Sequence, residues 1–190
     1  MNIITTSRLI IRRFCQSDGA ALFSYLHKPG SPCFYDERVA SLAAAYLEAE
    51  KRSTDKSQFA VCLKENNQLI GHLFAENGND EPDRHTWSAG WHFSPAFHGQ
   101  GYACESVAAL FDYLFKQQYA RRIYAWVEDY NVPSRNLCVR LHMRQEACFK
   151  EFVSFITENG EARYDDTLVY AILKKEWDAK RNKNNGDNAE

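Results

Sequence analysis

Apolar and polar residues alternate along the chain in short blocks with two different periods. Blocks rich in branched and aromatic residues predict β-strands at residues 7–14, 58–63, 68–74, 86–93, 122–127, 149–156 and 167–173. Apolar residues at helical spacing predict helices that begin at Ser17, span residues 37–52, span residues 103–115 and begin at Asn131. This order of elements predicts an α/β sandwich around one mixed β-sheet.

The length and composition predict one domain over residues 1–177, followed by a tail. The 190 residues are 45% hydrophobic, which suffices for one sizeable core and is short for two domains. Residues 178–190 are polar, and we expect them to be disordered.

The net charge, the lengths of the apolar runs and the cysteine pattern argue against nucleic-acid, membrane and metal partners. The net charge of -2 and a pI of about 6.3 argue against a nucleic-acid binder, which usually has a basic surplus. The sequence shows neither a signal peptide nor a run long enough to span a membrane, so we expect no membrane partner. None of the six cysteines forms a Cys-x-x-Cys pair, which predicts no metal site and reduced thiols in the cytoplasm.

A glycine-containing segment connects the predicted strand at residues 86–93 to the next helix: His98, Gly99, Gln100, Gly101, Tyr102 and Ala103. The first N–H groups of a helix have no internal partner, and glycines allow a phosphate to approach the backbone closely. The segment therefore suits a pyrophosphate, although a tight turn that merely needs glycine has the same pattern. A dinucleotide-binding loop would require a third glycine where the chain has Cys104.

Two stretches together resemble the acetyl-CoA signature of the GNAT acetyltransferase superfamily, in its ribosomal-protein N-acetyltransferase-like branch: residues 87–95 and residues 98–106. The superfamily motif is Gln/Arg-x-x-Gly-x-Gly/Ala; Gly101 and Ala103 match it, and His98 replaces its first residue. Asn131-x-x-Ser134 resembles a second motif of the branch, and Arg8-Leu9-x-x-Arg12 resembles its opening strand. The similarity extends over residues 6–177.

The resemblance implies a splayed central sheet and a function. The chain would transfer an acetyl group from acetyl-CoA to a primary amine, by direct attack in a ternary complex and without a metal; a homodimer is plausible from the family. The pantetheine arm would lie beside Trp91, His92 and Phe93, and the pyrophosphate on residues 99–103. Asn131 and Ser134 would complete the acetyl-CoA half of the site, with Ser134 as donor to the departing thiolate.

Several departures from the family leave the proton-transfer residues open. Ser88 stands where relatives often have a glutamate, and Cys138 stands where many have a tyrosine acid. His92 and Glu128 are candidates for the base, but each has a purely structural or solvated alternative, and the acceptor's own pKa is a third possibility.

The missing glutamate also favours a second hypothesis, a catalytically idle CoA-binding sensor, and a longer acyl group is a third. The acceptor remains open between a protein N-terminus, a drug, a polyamine and an amino acid. The loops around residues 28–37 and 77–84 are expected to border it.

Overall fold

The computed structural model describes residues 2–78, 83–156 and 160–186. The strands within these ranges are β1 (Asn2–Thr5), β2 (Leu9–Arg12), β3 (Gln58–Leu63), β4 (Leu69–Asn77), β5 (Thr86–Phe93), β6 (Arg122–Glu128), β7 (Arg144–Ile156) and β8 (Ala162–Leu173). The α-helices are α1 (Gly19–Leu26), α2 (Leu42–Thr54), α3 (Tyr102–Gln117), α4 (Val132–Arg140) and α5 (Lys174–Gly186). None of the described helices is both long and apolar enough to cross a membrane.

All the strands belong to one sheet in the order β1-β2-β3-β4-β5-β6-β8-β7. Neighbouring strands are antiparallel except for β5 and β6, which are parallel. The β5–β6 register contains only the pairs of Thr86, Trp87 and Ser88 with residues 122–124, so the strands diverge beyond Ser88. The predicted mixed sheet and its splay are confirmed.

The two faces of the sheet support separate hydrophobic clusters, as strand β3 illustrates. Phe59, Val61 and Leu63 belong to the larger cluster, which contains the buried face of α3. Ala60 and Cys62 point to the opposite face and pack with residues of α1 and α2. This alternation follows from the two-residue period of a strand that is buried on both faces. The buried hydrophobic strand residues in the cluster with α1 and α2 come from β3 and β4, and Tyr25 of α1 also contacts His92 of β5.

Several boundaries differ from the predicted ones. The predicted first strand over residues 7–14 is the short β2, and β1 precedes it. The predicted helix over residues 37–52 begins later, at Leu42, because the Ser41 side chain caps it by accepting a hydrogen bond from the Ala44 N–H at 3.1 Å. Strand β7 begins at Arg144 rather than at residue 149.

The polar C-terminal segment is helical where the sequence predicts disorder. Helix α5 extends to Gly186, and residues 187–190 lie outside the described residues. The helix is anchored by Trp177, which is 4% exposed and packs against Phe111 and Phe115 of α3. Its indole N–H donates to Asp112 Oδ1 at 2.9 Å. One buried aromatic residue therefore secures a helix whose remaining sequence gives little apolar signal.

Candidate active site

The glycine-containing loop ends in an uncapped helix N-terminus. Gly99 and Gly101 have φ angles of 74° and 81°, in the left-handed region that favours glycine. Gly101 is the N-cap residue of α3, and no side chain accepts a hydrogen bond from the first turn. The first N–H groups of α3 are thus left for a ligand, and the helix dipole favours an anion there.

Arg8 fixes this loop from the neighbouring strand region. Its Nη1 donates to the carbonyl of Gln100 at 3.0 Å, its Nε lies 2.7 Å from Glu105 Oε2, and its guanidinium lies 4.6 Å from the centroid of the Tyr102 ring. Glu105 also accepts hydrogen bonds from Thr6 and from the Arg8 backbone N–H. Arg8 therefore orients the loop, a role that its place in a predicted strand does not indicate.

A cavity of about 880 Å³ lies beside this loop, a volume that suits a large cofactor. Its lining brings together almost all the predicted cofactor-binding residues, namely Trp91, His92, Phe93, His98, Gly99, Gly101, Tyr102, Ala103, Asn131 and Ser134. Gln100 does not line the cavity, and its carbonyl bonds Arg8 instead. The cavity therefore lies between the end of β5, the glycine-containing loop and the start of α4.

A side-chain hydrogen bond between Trp91 and Ser134 joins β5 to α4. The indole N–H of Trp91 donates to Ser134 Oγ at 3.1 Å. Asn131 is the N-cap of α4, and its Oδ1 accepts a hydrogen bond from the Ser134 backbone N–H at 3.2 Å. Because the Ser134 hydroxyl accepts from Trp91, its own proton remains available for a group in the cavity.

A second, smaller cavity of about 230 Å³ adjoins the first. The two cavities share the lining residues Phe34, Trp91, Asn131 and Ser134. The smaller one is further lined by the carboxyl-bearing residues Glu37 and Glu128 and by aromatic rings, those of Phe74 and Trp126. Of the two predicted acceptor loops, residues 28–37 border this cavity, whereas residues 79–82 of the other lie outside the described residues.

The description "Acetyltransferase (GNAT) domain" belongs to a family model that matches residues 8–144. The chain belongs to the GNAT acetyltransferase family.

Relatives agree with this assignment over nearly the whole chain. An uncharacterized N-acetyltransferase of Bacillus subtilis (strain 168), YnaD, is 33% identical over 175 residues, which cover 92% of this chain and 98% of the relative. The structure of a GNAT-family acetyltransferase from Bacillus anthracis matches with a TM-score of 0.79 and 29% identity, covering 91% of this chain and 99% of that one. The coenzyme A complex of RimL, a ribosomal-protein α-N-acetyltransferase, shares the fold with a TM-score of 0.71 at 20% identity, covering 91% and 98% of the two chains. The protein is therefore an acetyltransferase.

Glu128 is a partly buried carboxylate of this acetyltransferase that lines the smaller cavity, as Glu37 does, but the pKa of Glu128 is raised. It is the last residue of β6 and lines that cavity together with Ser134. Burial raises the pKa of Glu128 above the ordinary value of 4.5. A carboxylate with a raised pKa is a stronger proton acceptor, which suits a general base.

His92 has a different environment in the acetyltransferase. Its side chain lies in contact with the ring of Phe34, with the centroids 3.6 Å apart and the planes 9° apart. Burial, together with the nearby His72, lowers the pKa of His92 to about 3. No described residue forms a hydrogen bond with its buried Nδ1. His92 is therefore neutral near pH 7 and is a weak proton acceptor.

A buried polar chain behind His92 is the feature of the site that sequence reasoning missed. Glu37 Oε2 lies 3.0 Å from His72 Nε2 and 2.9 Å from Arg52 Nη2, and Tyr25 Oη lies 2.9 Å from His72 Nδ1. Burial alone would raise the pKa of Glu37, but His72 and Arg52 outweigh it and lower the pKa to about 2. Glu37 is thus ionised at all physiological pH values.

Glu37, His72 and His92 are also close enough to be considered as metal ligands, since one potential ligand atom from each lies within 4.8 Å of the others. However, Arg52 already supplies a cation to Glu37, and both ring nitrogens of His72 have polar neighbours. The arrangement therefore fits a hydrogen-bonded chain better than a metal centre.

Cys138, which the resemblance predicts to stand where many relatives have a tyrosine acid, lies in the core. It is fully buried, and burial raises the pKa of its thiol to about 12. Its environment suits packing on the inner face of α4 rather than proton donation.

Proposed function

We propose that the enzyme transfers the acetyl group of acetyl-CoA to a primary amine by direct attack in a ternary complex. The observation that carries the proposal is the meeting of two cavities of unequal size at Ser134, where strands β5 and β6 have diverged. A large co-substrate and a small acceptor can then occupy the two cavities together. Their orientation alone accelerates an attack on a thioester.

The larger cavity suits acetyl-CoA because of its donor set. The uncapped N-terminus of α3 offers backbone N–H groups to the pyrophosphate, and the positive-φ glycines allow close approach. The backbone of β5 at residues 91–93, which has no strand partner on the β6 side, would pair with the pantetheine arm. Acetyl-CoA supplies an activated acyl group, which needs only a positioned nucleophile.

Ser134 and Glu128 divide the proton transfers in this proposal. The amine nitrogen forms a bond with the acetyl carbon as the carbon–sulfur bond breaks, and the Ser134 hydroxyl donates a hydrogen bond or a proton to the departing sulfur. Glu128 receives the proton that the amine loses. We favour Glu128 over His92 because it lines the acceptor cavity and its pKa is raised, whereas that of His92 is lowered.

Cys33 does not suit a covalent acetyl-enzyme, although it also lines the smaller cavity. Burial raises the pKa of its thiol to about 11, so the nucleophilic thiolate is scarce near pH 7. All six cysteines are free thiols, which supports a reducing compartment such as the cytoplasm.

The test is a kinetic one on a panel of primary amines, with release of the CoA thiol as the signal. Intersecting initial-rate patterns, and no acetylated enzyme by mass spectrometry in the absence of amine, are expected. Parallel patterns with an acetylated enzyme would refute direct attack. Bound CoA without turnover on any amine would instead indicate an idle CoA-binding module.

The base is tested by the pH dependence of kcat/KM. Because the pKa of Glu128 is raised, its carboxylate form is lost as the pH falls through a value above 4.5, and the rate should fall with it. Glu128→Gln should remove this limb of the profile, whereas the matched variant His92→Asn should keep it. An unchanged profile in Glu128→Gln would mean that the acceptor's own pKa governs the rate.

A further inference from the structure

The outer face of β6 presents an acid and an aromatic ring side by side. Ile123, Ala125 and Val127 point into the cluster with α3. Because side chains alternate along a strand, Trp126 and Glu128 point to the opposite face, where both line the smaller cavity. Trp126 is 45% exposed, so one part of its ring contacts the cavity and another part contacts solvent.

Two further rings extend the Trp126 surface away from the cavity. Phe152 is stacked with Trp126, with centroids 5.5 Å apart and planes 8° apart. Phe149 lies 5.6 Å from Trp126 and 5.3 Å from Phe152, centroid to centroid. Phe149 and Phe152 are 42% and 56% exposed. We call Trp126, Phe149 and Phe152 the aromatic patch.

A β-bulge in β7 builds this patch. Residues three apart on a regular strand point to opposite faces, so Phe149 and Phe152 could not share one face. The register with β8 passes from Phe149↔Thr167 to Val153↔Asp165, which leaves residues 150–152 opposite one residue of β8. The extra residues turn the second ring to the side of the first.

The bulge is held in place at an energetic cost. Glu151 has a φ of 46°, which is unusual for a residue with a side chain. Asp166 stabilises this conformation, because its carboxylate accepts a hydrogen bond from the Glu151 N–H at 3.0 Å and pairs with Lys150 Nζ at 2.5 Å. The two contacts of Asp166 thus offset part of the strain at Glu151 and hold the bulge that separates Phe149 from Phe152.

The smaller cavity, next to the aromatic patch, contains carboxylates that suit a bound amine. Glu128 provides negative charge for an ammonium group, and Glu37, whose charge is already paired with Arg52, adds a second carboxylate as a hydrogen-bond acceptor. A volume of about 230 Å³ is below the usual range for drug-sized ligands, so the cavity suits a short linker. The remainder of a longer acceptor would leave the cavity past Trp126 and reach the aromatic patch.

We propose that the acetyltransferase selects primary amines that carry an aromatic group on a short linker, with the amine between Glu128 and Glu37 and the ring on the aromatic patch. This inference rests on the proposed function and names its acceptor class. A second copy of the chain would also cover exposed rings, but it would not explain why the patch continues through Trp126 into a cavity with two carboxylates.

The experiment compares propylamine with phenethylamine, phenylpropylamine and phenylbutylamine as acceptors. The arylalkylamine with the best linker should show a higher kcat/KM than propylamine. Phe152→Ala should reduce this ratio about three- to tenfold, the range expected for one aromatic contact. Tyr164→Ala is the matched control, because Tyr164 is 61% exposed on β8 and lies outside the patch. It should leave the ratio unchanged.

Folding and self-association are checked in the same samples. CoA affinity, measured by calorimetry, reports whether each variant is folded; Phe152→Leu retains apolar volume without an aromatic ring and serves if Phe152→Ala misfolds. A ratio that is unchanged in both variants would overturn the inference. A change of oligomeric state in Phe152→Ala by analytical ultracentrifugation would assign the patch to a dimer interface and would overturn it as well.

The outcome is separable from that of the proposed function. Turnover of propylamine without preference for arylalkylamines would refute the acceptor class and leave the acetyltransferase reaction intact. If no amine is turned over, calorimetric binding of the arylalkylamines to the CoA-bound protein still decides the inference, since Phe152→Ala should weaken that binding and an equal affinity would refute it.

Discussion

Removal of the Glu37 charge should destabilise the acetyltransferase more than removal of a neighbouring surface charge. Glu37 forms side-chain contacts with His72 and Arg52 beside the smaller cavity, and Arg52 is 6% exposed. In Glu37→Gln the amide keeps the size of the side chain, but Arg52 loses one of its two partly buried counter-charges and His72 loses its charged partner. A buried cation without a full counter-charge is costly.

The magnitude follows from the pKa of Glu37. A fall from 4.5 to about 2 corresponds to about 3.4 kcal/mol of preferential stabilisation of the carboxylate. Because the Glu37 side chain is 30% exposed and glutamine keeps a hydrogen-bond acceptor, we expect a loss of about 2 kcal/mol. In a chain of 190 residues, this lowers Tm by about 4–8 °C.

Urea denaturation, followed by circular dichroism, measures the loss at several pH values. Since the folded pKa lies below the ordinary value of 4.5, the contribution is complete above that pH and disappears as the pH falls toward 2. The control is Glu50→Gln, because Glu50 is an exposed carboxylate on the same helix as Arg52, and a surface substitution of this kind costs less than about 0.5 kcal/mol. Equal losses in the two variants, or a loss that does not shrink in acid, would refute the reasoning.

Three further predictions concern the two cavities. Gly101→Asp should abolish CoA binding in calorimetry while the circular dichroism spectrum persists; Gly160→Asp, at another positive-φ glycine, should not affect binding, and retained affinity in Gly101→Asp would contradict the pyrophosphate site. Ser134→Ala should lower kcat about ten- to a thousandfold with CoA affinity retained, and an unchanged kcat would leave Ser134 with a structural role. Gly90→Ala should raise KM for the amine, because its Cβ would lie 2.0 Å from the Phe74 ring and displace it into the smaller cavity; an unaltered KM would argue against that displacement.

The acetyl-CoA half of the site could be predicted because its signals are local. Gly99 and Gly101 stand next to the helix they introduce, and Asn131 stands three residues before Ser134. Such spacings fix the conformation through φ angles and N-caps, which depend on few neighbours.

The acceptor half depends on contacts between distant segments. Glu37 lies in the segment before α2, whereas its partners His72 and Arg52 lie in β4 and α2. No periodicity in the sequence reports such a meeting. The bulge that aligns Phe149 with Phe152 could not be predicted for a similar reason. It is defined by the register against β8 and by the hydrogen bond that Asp166 accepts from the Glu151 N–H.

Helix α5 shows the same limit in a simpler form. Its polar composition predicts disorder, and the helix depends on the burial of Trp177 against α3, more than 60 residues earlier. Tertiary packing therefore overrides a weak local preference.

The bulge in β7 also affects how the protein behaves in concentrated solution. Strand β7 is the last strand of the sheet, and a long, flat edge strand offers a row of unpaired N–H and C=O groups to other chains. The extra residues, with Lys150 and Glu151 at their centre, interrupt that row and place charge on it. The same local distortion that aligns two aromatic rings on one face thus protects the exposed edge against strand pairing between molecules, and with it against aggregation.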